Sequence, residues 1–439
     1  MKRPQSMTDD AKSSLTPKLR FPEFRDGPGW TGSPMGEVYS FKGNNSLSRD
    51  QLNYEHGSVK NVHYGDIHTK FSTLFDIIKE SVPFINPSES LDGLRHENNC
   101  IEGDIIFADA SEDMEDIGKS IEIVRLNGER VVSGQHTILA RPSVDSLAVG
   151  FGAYLFKSKY VRTQIQKEAQ GSKVLGISAA RLTKIQLPIP RAKAEQQKIA
   201  ECLSTLDELI GAESQKLDAL KAHKKGLMQQ LFPREGETVP RLRFPEFQNA
   251  PEWEEARIGA KCESFSGGTP STSQKAFYGG TIPFIRSAEI ARSATELFLT
   301  EVGLQSSAAK LVKKGDVLVA LYGANSGDVA LAKIDGAINQ AILCLRPESD
   351  RAFLYHFLSL KKDWIVDTYI QGGQGNLSGE IVKSISLCFP RPEEQLRIAT
   401  CLSSFDDLIA AQNDKLEALK THKKGLMQQL FPSPPEAEE

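Results

Sequence analysis

Two long lines of mostly apolar residues run along this chain, each advancing by alternating steps of four and three residues. The first line lies between residues 195 and 231 and contains Ile199, Leu203, Leu206, Ile210, Leu217, Leu220 and Leu227. The second line contains Ile398, Leu402, Phe405, Ile409, Leu416, Leu419 and Leu426. A mean period of 3.5 residues is typical of a coiled-coil seam, so the pattern predicts two helices of about 37 residues and about 55 Å each.

Charges along the two predicted helices indicate how the helices pair. Both helices are acidic in their first half and basic in their second half. An antiparallel pair places each acidic half beside a basic half, whereas a parallel pair would place like charges together. We therefore expect antiparallel packing, with the polar seam residues Glu213 near Lys423 and Gln412 near Lys224.

The same segments occur twice in the chain. PKLRFPEF (17–24) returns as PRLRFPEF (240–247), Trp30 as Trp253, VPFINPSE (82–89) as IPFIRSAE (282–289), EGDIIFA (102–108) as KGDVLVA (314–320), HTILARP (136–142) as AILCLRP (341–347), and HKKGLMQQLFP (223–233) unchanged at 422–432. Between them lie short Val, Ile and Phe runs bounded by Gly, Pro and Asn, which predict strands and turns. We therefore predict an α+β fold: two α/β domains with mixed, strand-rich cores, joined by two long antiparallel coiled-coil helices in a circular, pseudo-twofold duplication.

The repeats also predict the domain boundaries. We expect a disordered tail at 1–16, a first strand-rich domain at 17–190, a first spacer helix at 191–233, a second domain at 234–390, a second spacer helix at 391–432 and a tail at 433–439. The two helices would hold the two domains at a fixed distance, and the C-terminal tail would end near the first LRFPEF segment.

Composition limits the classes of function. The chain has 439 residues and a net charge of −4, which argues against a protein that clamps nucleic acid by overall positive charge but leaves room for a local basic surface. Its six cysteines never form CxxC, so free thiols are expected rather than disulfides or a zinc site. No apolar run is long enough to span a membrane, and no apolar stretch follows the basic N-terminus. We therefore expect a cytoplasmic protein.

Motifs of catalysis are incomplete in this sequence. GKS at 118–120 has Asp113 where a phosphate-binding loop needs its first glycine. HENNC at 96–100 lacks the second histidine of HExxH, and GANSG at 323–327 places its serine one position late for GxSxG. We therefore expect no catalytic residue, no metal and no cofactor bound by this chain.

Binding residues are better supported than catalytic ones. In each half a basic or aromatic segment leads into a Gly-rich loop, at 157–178 and at 360–379, and the second half has a further polar, Gly-rich segment at 266–280. Cations suit phosphate contacts, and amide side chains suit base edges. The candidate DNA-binding residues are Lys157, Lys159, Arg162, Lys173, Ser271, Thr272, Arg286, Tyr322, Lys361, Gln374 and Asn376. A solvated helix followed by an ordinary loop is the alternative interpretation.

Several of these motifs together make the whole chain resemble the specificity subunit of Type I restriction–modification enzymes: the LRFPEF openings, GGTPSTSQ, GDVLVALYG, INQAILCLRP and the KKGLMQQLF helix ends. The resemblance implies a non-catalytic subunit whose two target-recognition domains read the halves of a split, asymmetric DNA site, while the coiled coil fixes their spacing. It implies as partners double-stranded DNA, two modification (methyltransferase) subunits and two restriction (translocase and nuclease) subunits, with no membrane. S-adenosylmethionine, ATP and Mg would belong to those partners, which methylate adenine N6 and cleave DNA.

A two-headed interaction scaffold that binds no nucleic acid is the alternative function, because the chain has no basic excess. The repeated frame with two unlike loop regions favours DNA recognition instead. Genes for an adenine methyltransferase and a helicase–nuclease beside this one would distinguish the two.

Overall fold

The computed structural model describes residues 15–143, 147–369 and 376–433. The chain divides into two compact units. Unit 1 comprises Met1–Ala212 and Leu416–Glu439, and unit 2 comprises Glu213–Lys415. Each unit therefore contains one strand-rich region together with a part of each long helix.

Unit 1 is built from short strands and short helices that precede the first long helix. Its strands are β1 (Thr31–Pro34), β2 (Tyr39–Lys42), β3 (Leu52–Asn53), β4 (Lys60–Val62), β5 (Leu74–Asp76), β6 (Phe84–Ile85), β7 (Ile105–Ala108), β8 (Ala110–Ser111), β9 (Ser120–Arg125), β10 (Val131–Ser133), β11 (Thr137–Pro142), β12 (Leu175–Gly176) and β13 (Gln186–Ile189). Its short helices are α1 (Met35–Val38), α2 (Tyr64–Thr69), α3 (Phe151–Leu155), α4 (Lys159–Glu168) and α5 (Ala179–Leu182).

The central sheet of unit 1 has the strand order β2-β11-β7-β9-β5, and a second sheet has the order β10-β4-β6-β3. Strand β7 is buried at all four residues, because apolar clusters cover both of its faces. Lys42 at the end of β2 pairs with Leu139 of β11, and Ala108 at the end of β7 pairs with Thr137 at the start of β11. The segments after β2, after β7 and before β11 therefore meet at one edge of the sheet.

Unit 2 repeats this frame with different lengths. Its strands are β14 (Glu254–Arg257), β15 (Cys262–Ser266), β16 (Tyr278–Ile285), β17 (Leu297–Leu299), β18 (Lys310–Val312), β19 (Val317–Ala320), β20 (Val329–Leu331), β21 (Gly336–Ile338), β22 (Ile342–Pro347) and β23 (Ser386–Phe389). Between these strands lie the helices α7 (Ile258–Lys261), α8 (Glu301–Gln305), α9 (Arg351–Tyr369) and α10 (Gly379–Ser384). The sheets have the orders β15-β22-β19-β20 and β17-β16-β21-β18. Ser266 pairs with Leu343 and Ala320 with Ile342, so the corresponding segments meet at the corresponding edge.

One expected correspondence between the two copies is wrong. In unit 2 strand β16 runs parallel to β21. The strand of unit 1 that is equivalent to β21 is β10, and the strand parallel to β10 is β4. Strand β6, which contains the FI of VPFINPSE, lies antiparallel to β4 and is therefore not the equivalent of β16. IPFIRSAE (282–289) therefore corresponds to VKNVHYGD (59–66), and VPFINPSE (82–89) belongs to an additional strand. The offset is then 223 residues (282 − 59), as it is between the two LRFPEF segments (240 − 17). The two similar segments are not structurally equivalent, because strand pairing, and not sequence similarity, defines which strands correspond.

The two long helices are α6 (Lys193–Leu231) and α11 (Pro392–Leu430), each of 39 residues. All fourteen apolar residues of the predicted seams are buried or half-buried, whereas Leu209 and Leu408, which lie off the seams, are exposed. The 3.5-residue period therefore identified the buried line of each helix.

Contacts within each unit confirm the predicted antiparallel direction. In unit 1 Lys423, near the end of α11, binds Asp207 in the first half of α6. In unit 2 Lys224, near the end of α6, binds Asp406 in the first half of α11, with 2.5 Å between Nζ and Oδ1. Basic ends thus pair with acidic beginnings in both units.

The register within this pairing differs from the expected one. We expected Lys423 near Glu213 and Lys224 near Gln412, but each lysine binds a carboxylate six residues earlier in the facing helix. Gln412 Nε2 instead donates to Glu213 Oε2 at 2.6 Å, and Lys415 Nζ to Glu213 Oε1 at 2.6 Å. A buried carboxylate needs donors close by, so the two polar seam residues bind each other.

Buried ion pairs attach each LRFPEF segment to a long helix. In unit 1 Arg20 Nε and Nη2 donate to Glu195 at 2.8 and 2.6 Å, and Trp30 Nε1 donates to the same carboxylate at 3.1 Å. In unit 2 Arg243 makes the same two bonds to Glu394, at 2.8 and 2.6 Å. The repeated sequence thus repeats its contacts.

Each segment also contacts the end of the other long helix. The Leu19 N–H donates to Gln429 O at 2.9 Å, and the Leu242 N–H donates to Gln230 O at 3.0 Å. The ring of Phe431, next to the end of α11, packs edge-on against Trp30. The second long helix therefore ends against the first LRFPEF segment, as the circular organisation predicts, while the tail after residue 433 lies outside the described residues.

Candidate nucleic-acid interface

Polar residues of unit 1 gather at the edge where β2 and β7 end and β11 begins. Asn44 Nδ2 donates to Thr137 O at 2.8 Å, and Asn45 Nδ2 donates to Ser133 O at 2.9 Å. The Ile177 N–H, directly after β12, donates to Asp109 O at 2.9 Å, which brings the end of the predicted segment 157–178 to the same edge. We call this surface face 1; it comprises residues 44–47, 90–94, 109–111, 135–136 and 170–178.

A carboxylate and an imidazole occupy the centre of face 1, and a tyrosine packs beside the imidazole. Asp109 Oδ1 lies 3.3 Å from His136 Nδ1. The His136 ring stands edge-on to Tyr64 with 5.3 Å between centroids, and the His63 ring lies 4.7 Å from the Tyr64 ring, centroid to centroid. Burial raises the pKa of Asp109, and the adjacent His136 partly opposes that shift. Burial, with the nearby charge of Arg49, lowers the pKa of His63.

Three of the four predicted cations of unit 1 are exposed. Lys159 is the first residue of α4, Lys173 lies in the loop before β12, and Lys157 precedes α4 and donates to Thr73 Oγ1. Lys173 immediately precedes Val174, a residue of face 1. Lys173 is thus placed to contact phosphates beside that face.

Arg162 has a different environment. Its Nη2 donates to Glu115 O at 2.8 Å and its Nη1 to Gly118 O at 3.2 Å. Burial lowers the pKa of this guanidinium. In this arrangement Arg162 holds the segment before β9 against α4.

Unit 2 presents a second surface at the corresponding edge. Thr269 Oγ1 donates to Gln340 Oε1 at 2.6 Å, joining the loop after β15 to the turn before β22. The Leu377 N–H donates to Leu321 O at 2.9 Å, which places Asn376 next to the segment that contains Tyr322. We call residues 269–273, 321–323, 339–340 and 376–377 face 2. The predicted residues Ser271, Thr272, Tyr322 and Asn376 are all exposed on it.

Arg286 is already engaged by carboxylates. Its Nε and Nη2 donate to Glu289 at 3.0 Å each, and Nη2 also donates to Glu296 at 2.5 Å. Burial of Glu289 would raise the pKa of this carboxyl, but the hydrogen bonds from Arg286 and from the Glu296 N–H together outweigh burial and lower the pKa to about 2. A DNA contact by Arg286 would therefore compete with this ion pair.

The remaining predicted residues belong to α9 and the loop after it. Lys361 lies above the ring of Trp364, with 5.5 Å from Nζ to the centroid, and is half-buried. Gln374 lies outside the described residues.

Sequence reasoning missed several polar residues of the two faces, among them Asn44, Asn45, Asp109, Gln135, His136, Thr269 and Gln340. The signal was present as short polar runs directly beside core strands, such as GNN after β2 and NQ before β22. Which runs meet is decided by strand pairing, and that information is not local.

Two other kinds of site are absent from the described residues. Within residues 15–143, 147–369 and 376–433 no group of three or more His, Cys, Asp or Glu side chains could hold a metal ion. No described helix is long and apolar enough to cross a membrane. The six cysteines are free thiols, three of them buried.

Family comparison assigns the two repeats. The model of the Type I restriction modification DNA specificity domain matches residues 29–222 and again residues 251–421. This chain belongs to that family. The resemblance drawn from the sequence is confirmed, and so is the expected role as a DNA specificity subunit with two recognition domains.

Two relatives illustrate the family. The putative type I restriction enzyme MjaX specificity subunit of Methanocaldococcus jannaschii is 28% identical over 341 residues, which covers 75% of this chain and 77% of that subunit. The MjaIX specificity subunit of the same organism is 32% identical over 181 residues, covering 38% of this chain and 41% of that subunit.

Solved structures support the fold. The S subunit of the Type I restriction–modification system from M. genitalium superposes with a TM-score of 0.62 at 18% identity, covering 95% of this chain and 100% of that one. A chain from a structure of Type I complex assembly and conformational transition gives a TM-score of 0.54 at 17% identity, covering 92% and 98%. Both likenesses concern the fold alone.

Proposed function

We propose that face 1 and face 2 each read one half of a split, asymmetric DNA site for a Type I restriction–modification complex. One observation carries this proposal: the same edge of the same frame presents unlike polar side chains in the two copies. A strand framework that is the same in both units, with different side chains on its two faces, suits two domains that recognise different DNA sequences.

The side chains of the faces have the chemistry that base recognition needs. Gln135 in face 1 and Gln340 in face 2 occupy the same place in a turn of equal length, two residues after the strand that precedes it. Amides can pair with adenine edges, and hydroxyls such as Thr269 and Thr272 can bond to any base. The exposed lysines Lys159 and Lys173 would contact phosphates, which fixes position without reading sequence. Lys157 is less suited to this role, because its ammonium donates to Thr73 and burial lowers its pKa to about 8.

The long helices would set the spacing between the two half-sites. Each has 39 residues, or about 58 Å at 1.5 Å per residue, and neither contains an internal proline. Their buried seams and their charge pairs resist sliding. In this role the helices act as a spacer and contact no base.

Partner subunits would perform the chemistry. Two modification subunits with S-adenosylmethionine would methylate adenine N6, and two restriction subunits with ATP and Mg would translocate and cleave DNA in the cytoplasm. The chain itself would dock these subunits and bind no cofactor. The alternative of a scaffold without nucleic acid has lost its support, because the family model that matches both repeats is a DNA specificity domain.

The decisive experiment is to express the chain with its modification subunits and to locate methylated adenines by single-molecule sequencing. We expect one bipartite motif with a fixed spacer, present with this gene and absent without it. A host genome with the same methylation in both cases would contradict the proposal.

Matched variants then assign the halves. Gln135→Ala should change the specified bases in one half-site, and Gln340→Ala in the other, by about 1–3 kcal/mol of discrimination each. Asn376→Ala should affect the same half as Gln340→Ala. Two variants that alter the same half would contradict the assignment of one face to one half.

A further inference from the structure

The most distinctive pair of side chains on face 1 is Asp109 with His136. These residues border two adjoining clefts, one also lined by Asn44, Asn45 and Gln135 and the other by Arg181. The carboxylate is 28% exposed and the imidazole 51%, so both are accessible from outside. The pair therefore stands at the centre of the surface that would face DNA.

Backbone geometry singles out His136. Its φ of 56° lies in the left-handed region, which costs free energy for any residue except glycine. The Asp109 N–H donates to His136 O at 3.1 Å, which fixes the turn. In this conformation the imidazole lies beside the carboxylate and stands edge-on to the ring of Tyr64.

The frame does not need this pair. In unit 2 the position of Asp109 is occupied by Leu321 and that of His136 by Ala341, and the Leu321 N–H still donates to Ala341 O at 2.8 Å. Leu321 is 2% exposed and packs in the core. Because the same frame forms with Leu and Ala, a carboxylate–imidazole pair at this place is not a requirement of folding.

The chemistry of the pair indicates what it would bind. A carboxylate only accepts hydrogen bonds, and a neutral imidazole that donates Nδ1–H to Asp109 presents Nε2 as a further acceptor. Two acceptors suit an exocyclic amino group, which in the major groove means N4 of cytosine or N6 of adenine. Guanine and thymine present acceptors there and would be repelled, as would phosphates.

We propose that Asp109 and His136 are the specificity-determining pair of face 1, and that they select a base that presents an exocyclic amino group in the major groove, which means cytosine or adenine. This inference rests on the proposed function. It concerns one base pair of one half-site and leaves the spacer and the other half-site unaffected.

The test uses two variants in the full complex with its modification subunits. The double variant Asp109→Leu/His136→Ala installs the residue types of unit 2, so we expect it to fold. Asp109→Asn keeps the shape of the side chain but adds a donor. Glu112→Gln, an exposed neighbour in the same loop, is the control. In each case the methylated motif is determined by single-molecule sequencing.

In the motif of the unaltered complex, one position should require cytosine or adenine. We expect the double variant to accept any base at that position, and Asp109→Asn to accept additional bases there. On duplexes substituted at that position, the unaltered complex should discriminate by about tenfold or more, and the double variant by less than about twofold. Duplexes that carry cytosine or adenine at that position are then compared, and the base that the unaltered complex prefers identifies whether cytosine N4 or adenine N6 is recognised.

Three results would overturn the inference: an unchanged motif, a change in both half-sites, or an equal loss of affinity for every substituted duplex. If the unaltered complex produces no bipartite motif at all, the proposed function fails. If the bipartite motif is present and only the variants leave it unchanged, the inference about Asp109 and His136 fails alone.

Discussion

Unit 1 and unit 2 repeat the contacts of their frame almost residue by residue. In unit 1 Tyr154 OH donates to Asp207 Oδ2 at 2.8 Å, and Lys423 binds the same carboxylate. In unit 2 the equivalent carboxylate, Asp406, binds Lys224 and lies 3.8 Å from His356 Nε2. Only the aromatic partner has changed, from tyrosine to histidine.

The faces show the opposite behaviour. Asp109 and His136 of unit 1 become Leu321 and Ala341 in unit 2, although the backbone hydrogen bond between the two positions is kept. The frame is held by backbone ladders, buried ion pairs and core packing, which tolerate little change. At this position of the open edge, unit 1 has an accessible polar pair and unit 2 has a leucine buried in the core, on the same backbone hydrogen bond. A duplicated chain can therefore acquire two specificities without altering its fold.

The largest expected effect comes from removing the buried ion pair between Arg20 and Glu195 in unit 1. Glu195→Ala leaves Arg20 buried without its partner, which should cost about 3–5 kcal/mol of unfolding free energy. The loss in unit 2 on Glu394→Ala should be smaller by about 1 kcal/mol. Glu195 also accepts a hydrogen bond from Trp30, whereas Trp253 Nε1 has no partner among the described residues. Denaturant unfolding followed by tryptophan fluorescence in single-tryptophan backgrounds measures each unit.

Glu201→Ala, at an exposed position of the same helix, is the control and should change stability by less than about 0.5 kcal/mol. Equal losses in both units would indicate that the Trp30 bond contributes nothing.

A smaller effect distinguishes the units by pH. Burial and the charge of Lys224 lower the pKa of His356 to about 3, against about 6.5 in an unfolded chain. The unfolded state therefore takes up the proton first as pH falls, and unit 2 should lose about 2 kcal/mol of unfolding free energy between about pH 7 and pH 5. The fluorescence of Trp253 reports this loss, and His356→Phe should abolish it.

Unit 1 should respond in the opposite direction. Glu122 is buried and accepts from the Gly150 and Ala153 N–H groups at 2.6 and 2.7 Å. Burial raises its pKa to about 7 despite those bonds, so the folded state takes up the proton first. Unit 1 should gain about 2 kcal/mol over the same pH range, as reported by Trp30, and Glu122→Gln should remove the gain. Parallel responses of the two units would contradict both assignments.

Local patterns were sufficient to predict much of the frame. The 3.5-residue period located α6 and α11 and their buried seams, because a helix that buries one line must repeat apolar residues along it. Charge order gave the antiparallel direction because opposite charges must face each other along the whole helix. The family followed from repeated motifs that span nearly the whole chain.

Long-range information was missing from those patterns. The register was wrong because Glu213 and Gln412 satisfy each other across the helix pair, a choice that neither helix makes alone. VKNVHYGD was overlooked because its place is defined by its parallel pairing with β10. The pair of Asp109 and His136 comes from segments 27 residues apart (136 − 109), and only the sheet brings them together.

The smallest expected effect tests the helix register that the two units share. A double-mutant cycle with Asp207→Asn and Lys423→Gln should give a coupling of about 0.5 kcal/mol, because the pair is partly exposed and water screens it. The cycle of Lys224→Gln with Asp406→Asn should give a similar coupling in unit 2. Glu213→Gln with Lys423→Gln should give none, because Glu213 is bound by Gln412 and Lys415. Coupling in that third cycle and none in the first would favour the register expected from the sequence, in which Lys423 lies near Glu213. It would contradict the contact between Lys423 and Asp207.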